Sequence, residues 1–290
     1  MTGPISPAHG YRERRYTAQD GLSLYCRDYG NPLSERTPVL CLTGLTRNSK
    51  DYHEVALRLA RQRRVLCPDY RGRGQSDYDP DWRNYQPTTY INDMRHLLAA
   101  LNIHQVIVIG TSLGAFLAMG LAVLAPSFVA GAVLNDAGPE INADGLARIL
   151  AYVDADRPLD GWDAAIARMR EIFPQLSFDD PQSWRIAADK MFKEGRDGKL
   201  HYDWDIRLAE PLRRAKSDLP PLWPLFLALG ARPVLALRGA LSDILLPETL
   251  EAMSRSLPRI TCVTVPGVGH TPTLLEPAAV EALDAYFAEN

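Results

Sequence analysis

The sequence predicts an α/β fold in which a mostly parallel central sheet is flanked by helices and carries an inserted helical cap. Short β-branched apolar runs alternate with helical stretches, a pattern typical of crossover units around a parallel sheet. Between residues 141 and 223 the apolar residues instead recur at helical spacing, with prolines between the segments. We therefore expect residues 1–140 and 224–290 to form the core and residues 141–223 to form the cap.

Length and composition favour one large α/β domain, or a core with an inserted lid. The chain has 290 residues and a net charge of −3, and it lacks a long basic block that could follow a phosphate backbone. No apolar run has the length of a membrane span, and the N-terminus lacks the apolar core of a signal peptide. The four scattered cysteines suit buried free thiols in a reducing, cytoplasmic setting. No spacing typical of a metal site is present.

Individual elements follow from apolar runs and the residues that end them. Two extended segments between Tyr11 and Tyr29 predict a hairpin at a sheet edge. Pro68 ends one apolar strand, Gly110 ends another, and Pro126 ends the helix that follows Gly110. Core strands are expected at 39–42, 65–67, 106–109, 129–134, 234–239 and 260–265, and helices at 52–61, 88–101, 113–125, 247–256 and 277–288.

The turn between the strand at 106–109 and the next helix has the pattern G-x-S-x-G, with Ser112 at its centre. A strand that turns abruptly into a helix leaves no room for side chains at Gly110 and Gly114, two residues on either side of a strained serine. Ser112 also begins the helix, where unpaired N–H groups and the helix dipole favour negative charge. This setting is the one that a nucleophile elbow requires. We therefore predict that Ser112 is a nucleophile.

Two other strand ends carry the groups that an activated serine needs. A histidine must take the serine proton, and an acceptor must hold the histidine in the correct tautomer. His270 and Asp243 follow the last two core strands, and their order after Ser112 suits this type of elbow. Asp136, which also ends a strand, is the rival acceptor. The positions of the two acids after their strands leave both as candidates.

These motifs resemble those of the α/β-hydrolase superfamily over nearly the whole chain. The matching segments are Gly-Thr-Ser-Leu-Gly, Arg-Gly-Ala-Leu-Ser-Asp, Gly-Val-Gly-His and DYRGRGQSD. The resemblance implies an α/β-hydrolase fold with Ser112 as nucleophile, His270 as general base and Asp243 as the acid that orients it. Because the glycine-flanked loop that carries Asp243 matches the usual pattern of the superfamily, we expect Asp243→Asn to cost more activity than Asp136→Asn. The resemblance also implies an oxyanion hole made by the backbone N–H groups of Leu45 and Leu113.

Two loops lack residues that known motifs would place there. Thr43-Gly44 stands where many members of the superfamily have His-Gly, although an oxyanion hole made of backbone groups needs no side chain there. The RGRGQSD segment lacks both the lysine of a phosphate-binding P-loop and the third glycine of a dinucleotide site. We therefore expect a structural turn in which Arg71 and Asp77 make local contacts.

The sequence thus predicts a serine hydrolase that cleaves a small carboxylic ester or lactone through an acyl-enzyme, without a metal or other cofactor. The expected partner is a small-molecule carbonyl substrate, not a nucleic acid or a membrane. Two alternatives stay open: a carbon-carbon bond hydrolase that acts on a vinylogous diketone, and a non-catalytic small-molecule receptor on the same fold. The physiological substrate and the oligomeric state cannot be read from the sequence.

Overall fold

The computed structural model describes residues 10–153, 156–173, 180–214 and 222–290. In chain order, the described strands are β1 (Tyr11–Thr17), β2 (Ser23–Tyr29), β3 (Val39–Leu42), β4 (Val65–Asp69), β5 (Val106–Thr111), β6 (Val129–Asn135), β7 (Phe192–Glu194), β8 (Leu200–Tyr202), β9 (Val234–Gly239) and β10 (Ile260–Val265). Eight of them form one sheet in the order β1-β2-β4-β3-β5-β6-β9-β10. Only the β1–β2 and β2–β4 pairs of this sheet are antiparallel.

Helices cover both faces of this sheet. The described α-helices are α1 (His53–Leu59), α2 (Pro87–Ala100), α3 (Leu113–Leu124), α4 (Ala143–Val153), α5 (Trp162–Ile172), α6 (Pro181–Asp189), α7 (Glu210–Arg214), α8 (Trp223–Leu227), α9 (Pro247–Ser254) and α10 (Pro277–Glu289). Val106 and Val108 of β5 pack in the core with α2 and α3, whereas Ile107 and Ile109 pack in the core with α1 and α10. Successive side chains of a strand point to opposite faces, so the apolar run of β5 supplies both cores.

The predicted fold class is confirmed, and the predicted core strands are present. The four cysteines are free thiols, as expected. The stretch from 141 to 223 contains helices α4 to α7 and the start of α8, but it also holds the small β7–β8 sheet, which the helical spacing did not predict. Parts of the predicted domain ranges, at 1–9, 154–155, 174–179 and 215–221, lie outside the described residues. None of the described helices combines the length and apolar character that crossing a bilayer requires.

Two buried aspartates attach the stretch between β6 and β9 to the segments that follow β3 and β4. Asp203 accepts a hydrogen bond from Asn48 at 3.0 Å and pairs with Lys50 at 3.1 Å, both on the segment that follows β3. Asp205 accepts a 2.6 Å bond from the hydroxyl of Tyr85. These contacts attach the chain just after β8 to the core. Both carboxylates are almost fully buried, and each also pairs with a cation, Lys193 for Asp203 and Arg207 for Asp205, so neither buried charge is left without a partner.

The RGRGQSD segment forms a structural turn, as expected, and it contains a buried ion cluster. The guanidinium of Arg71 binds Asp93 through two hydrogen bonds of 2.7 and 2.8 Å and Asp20 at 2.6 Å, and it also contacts Asp79. Asp77 accepts a bond from the backbone N–H of Ser23 at 3.2 Å. These contacts join the turn to α2 and to the β1–β2 hairpin.

We expect Arg71→Met to lower the free energy of unfolding by roughly 3 to 5 kcal/mol, because Asp79 and Asp93 would remain buried without their cation. Urea denaturation followed by circular dichroism measures this change. Arg255→Gln is the matched control, because Arg255 pairs with Glu251 on the surface and should contribute about 0.5 kcal/mol or less. A loss below about 1 kcal/mol for Arg71→Met would show that the cluster is not a major stabilising contact.

Candidate active site

The turn at Ser112 has the geometry that the sequence predicts for an elbow. Ser112 lies between β5 and α3 with a φ of +51°, a backbone conformation that costs a non-glycine residue about 1 to 3 kcal/mol. A Cβ atom at Gly110 would lie 2.3 Å from the carbonyl oxygen of Gly114, and one at Gly114 would lie 2.0 Å from that of Leu42. Only glycine fits at either position, and the serine is thereby held at the end of the strand.

His270 joins Ser112 to Asp136. Its Nε2 lies 3.0 Å from the Ser112 hydroxyl, and its Nδ1 lies 2.7 Å from a carboxylate oxygen of Asp136. A carboxylate can only accept a hydrogen bond, so we assign the ring proton to Nδ1, which leaves Nε2 free to accept from Ser112. The side chain of His270 is only 7% exposed and that of Asp136 is fully buried. This arrangement can raise the nucleophilicity of the serine by accepting its proton.

The protein positions Asp136 through the neighbouring strand. Asp136 follows β6 directly, its backbone N–H donates to Leu237 at 2.8 Å, and its second carboxylate oxygen accepts the N–H of Gly239 at 2.9 Å. The loop that carries His270 passes over the same point, since a Cβ at Gly239 would lie 2.4 Å from the carbonyl oxygen of Gly269. Gly239 therefore allows His270 to reach Asp136 across the end of β9.

The expectation that Asp243 orients His270 is corrected by the structure. Asp243 binds the guanidinium of Arg148 on α4 through two hydrogen bonds of 2.6 and 2.8 Å, and its side chain is 39% exposed. Arg148 is the main cause of the lowered pKa of Asp243, and the nearby charge of His270 contributes less. The loop after β9 carries Asp243 four residues past the strand end, whereas Asp136 stands next to its own strand end. Strand order alone could not distinguish the two.

The loop after β3 lies beside the elbow. Ser112 Cβ would be 3.8 Å from a Cβ at Gly44, and the buried guanidinium of Arg73 donates to the carbonyl oxygen of Leu45 at 2.5 Å. Neither Leu45 nor Leu113 donates its backbone N–H to another described residue. Both groups are therefore available, and their role as an oxyanion hole stays a prediction.

Three residues that support the site were missed by sequence reasoning. Arg73 is fully buried, with its guanidinium 5.1 and 4.9 Å from the ring centres of Tyr70 and Tyr90, and no motif distinguishes it from a surface arginine. Asn135 donates to Thr111 at 3.1 Å and to the carbonyl oxygen of Pro272 at 2.9 Å, which fixes the His270 loop. Arg148 lies on a helix of the insert. Their partners are distant in sequence, so spacing carried no signal for them.

Within the described ranges, no group of three or more histidine, cysteine, aspartate or glutamate side chains is arranged to hold a metal ion.

Known sequences resemble this chain over most of its length. The sequence pattern that defines the Alpha/beta hydrolase family matches residues 39–283. The chain belongs to this family. A relative from Cupriavidus necator, named 3-hydroxybutyrate-oligomer hydrolase, is 36% identical over 270 residues, which cover 90% of this chain and 91% of the relative. The 2-(acetamidomethylene)succinate hydrolase of Mesorhizobium japonicum is 28% identical over 233 residues, covering 80% of this chain and 81% of the other.

A solved structure gives the same result for the fold. The crystal structure of an alpha/beta hydrolase from Novosphingobium aromaticivorans superposes with a TM-score of 0.91 at 41% identity, and covers 99% of this chain and 100% of that one. The chain is thus a hydrolase of the alpha/beta hydrolase family.

We expect Asp136→Asn to lower kcat on the order of 10³- to 10⁴-fold, because an amide at this position would favour the wrong tautomer of His270. Asp243→Asn should lower kcat far less, since Asp243 contacts Arg148 and not the histidine. Steady-state hydrolysis of a p-nitrophenyl ester measures both variants, with circular dichroism to show that each is folded. A larger loss in Asp243→Asn would contradict the assignment of Asp136.

Proposed function

We propose that this alpha/beta hydrolase cleaves a small carboxylic ester or lactone through an acyl-enzyme on Ser112. The observation that carries the proposal is the pair of contacts made by His270, at 3.0 Å to Ser112 and 2.7 Å to Asp136. An isolated serine hydroxyl is a weak nucleophile, and a base within hydrogen-bond distance activates it. A buried carboxylate on the far side of the imidazole stabilises the positive charge that forms when the base takes the proton.

The reaction follows from these contacts in two stages. Ser112 Oγ attacks the ester carbonyl while His270 Nε2 takes its proton, and the carbonyl oxygen becomes an oxyanion. The bond to the alcohol oxygen then breaks, and the proton on Nε2 passes to the departing alkoxide. Water attacks the acyl carbon in the second stage and gives a proton to Nε2. That proton returns to Ser112 Oγ as the acyl bond breaks and the carboxylic acid leaves.

The oxyanion is the species that most needs stabilisation in both stages. In the proposed arrangement it accepts hydrogen bonds from the N–H groups of Leu45 and Leu113, which have no acceptor among the described residues. Removal of one such donor typically costs about 2.7 to 4 kcal/mol in the transition state. Arg73 contributes indirectly, because it holds the carbonyl of Leu45 and so fixes the loop that presents one donor.

The substrate class that we favour is a short oligoester of a 3-hydroxy acid. The support is the relative named 3-hydroxybutyrate-oligomer hydrolase, to which the chain is 36% identical over 90% of its length. In this proposal residues 141–223 act as the cap that shapes the substrate pocket. Ile149 of α4 and Ile244 of the loop after β9 pack in one apolar cluster with Leu45, so the insert contributes a wall beside the elbow.

The test combines active-site labelling with substrate hydrolysis. Exposure to a fluorophosphonate followed by intact-protein and peptide mass spectrometry should show a single adduct on Ser112. The dimer of 3-hydroxybutyrate should be hydrolysed by the wild type and not by Ser112→Ala. Ser254→Ala is the matched control, because Ser254 is an exposed serine on α9 and should leave both labelling and turnover unchanged.

Three outcomes would contradict the proposal. Wild-type rates in Ser112→Ala would show that Ser112 is not the nucleophile. The lack of both an adduct and turnover would favour the receptor alternative. Cleavage of a vinylogous diketone without ester turnover would favour the carbon-carbon bond hydrolase, which uses the same three side chains.

A further inference from the structure

Helix α4 carries two polar side chains, one bound to the loop after β9 and one packed near the loop after β3. Arg148 and Tyr152 are one helical turn apart and therefore lie on the same face of α4. Tyr152 packs in the apolar cluster that contains Leu45 of the loop after β3, and its ring meets Phe173 edge-on at 5.6 Å. Burial raises the pKa of Tyr152, so the phenol keeps its proton and can donate a hydrogen bond. The tyrosine is thus fixed next to the predicted oxyanion loop.

A second arginine lies in the loop that follows β3. Arg47 is this residue, and the positive charges of Arg47 and Arg148 both lower the pKa of Tyr152, against the larger effect of burial. The Cγ atom of Arg47 and the Cβ atom of Ser112 lie 3.5 and 3.8 Å from the point where a Cβ of Gly44 would stand. The stem of Arg47 and the side chain of Ser112 therefore both lie next to Gly44.

Both arginines are held by carboxylates in the same way. Arg47 uses Nε and Nη2 to bind Asp51 at 2.6 Å, and Arg148 uses Nε and Nη2 to bind Asp243 at 2.6 and 2.8 Å. The Nη1 atom of each makes no hydrogen bond with the described residues. The side chains are 24% and 36% exposed, so part of each arginine is open to solvent. A guanidinium fixed along one edge presents its other edge to a second carboxylate.

We propose that Arg148, together with Arg47 and Tyr152, binds the free carboxylate of the substrate beside Ser112. This inference rests on the proposed ester hydrolase function and deepens it. In a 3-hydroxy acid dimer the free carboxylate is only a few covalent bonds from the ester carbonyl that Ser112 attacks. The carboxylate belongs to the part that leaves as the alcohol, so the enzyme cleaves the ester bond next to the acid end.

Asp243 has a clear part in this arrangement. The loop after β9 carries it to α4, where its two bonds orient the guanidinium of Arg148. Gly145 makes this approach possible, because a Cβ there would lie 2.2 Å from the carbonyl oxygen of Asp243. Asn142 also donates to that carbonyl oxygen at 3.0 Å. Asp243 is therefore a positioning residue for substrate binding and not the partner of His270.

The test compares the 3-hydroxybutyrate dimer with its terminal carboxamide, which has the same shape without the charge. The quantity measured is kcat/KM for the acid divided by kcat/KM for the amide. We expect this ratio to exceed one in the wild type and to fall by roughly 10- to 100-fold in Arg148→Gln, which removes charge-assisted hydrogen bonds. Arg255→Gln is the matched control, because that surface arginine also pairs with a carboxylate, Glu251, and should keep the wild-type ratio.

A double variant separates the loss of the cation from the unmasking of Asp243. In Arg148→Gln with Asp243→Asn neither charge is present, and the ratio should remain low because the carboxylate has still lost its main partner. Recovery of the wild-type ratio in the double variant would overturn the proposal, since repulsion by Asp243 would then explain the single variant. An unchanged ratio in Arg148→Gln would overturn it as well.

Failure of the proposed function would give a different result. If neither compound is hydrolysed and Ser112 takes no fluorophosphonate, the ester hydrolase proposal fails. Binding of 3-hydroxybutyrate, measured by calorimetry on the wild type and on Arg148→Gln, then decides the carboxylate site alone. Weaker binding to the variant by about 10-fold or more would support the site, and equal binding would overturn it.

Discussion

The position of His270 between Ser112 and Asp136 is the constraint on which the rest of the site depends. Thr111 of β5 pairs with Asn135 of β6, so Ser112 and Asp136 follow directly paired residues and lie side by side. His270 lies on the loop that follows β10. Because β9 stands between β6 and β10 in the sheet, this loop must cross the end of β9 to reach Asp136. A side chain at the end of β9 would collide with this loop, so the strand ends in Gly239.

Much of the fold could be predicted from the sequence, and so could Ser112 and His270, but not the acid that holds the histidine. Apolar runs ending in glycine or proline indicate strands of a parallel sheet, and the close approaches at Gly110 and Gly114 have a purely local cause. The choice between Asp136 and Asp243 depends instead on strand register and on where a long loop crosses. Local spacing predicts neither of these features. Arg148, which binds Asp243, also lies far from it in the chain.

The inserted segment has both a structural and a chemical relation to the site. Asp203 and Asp205 attach its later part to the core through buried contacts with Asn48, Lys50 and Tyr85. Its first helix, α4, is attached at the opposite end of the segment through Arg148 and Asp243. The insert is thus joined to the core at both ends. We propose that α4 also binds the carboxylate of the substrate, while Ser112, His270 and Asp136 carry out the reaction.

NMR of the imidazole tests most directly whether Asp136 holds the ring of His270. In protein labelled with ¹⁵N-histidine, the Nδ1 proton of His270 should give a downfield signal, assigned by its loss in His270→Gln. We predict that the signal persists in Asp243→Asn and disappears or moves upfield in Asp136→Asn, since only Asp136 accepts this proton. A signal lost in Asp243→Asn and kept in Asp136→Asn would contradict the account.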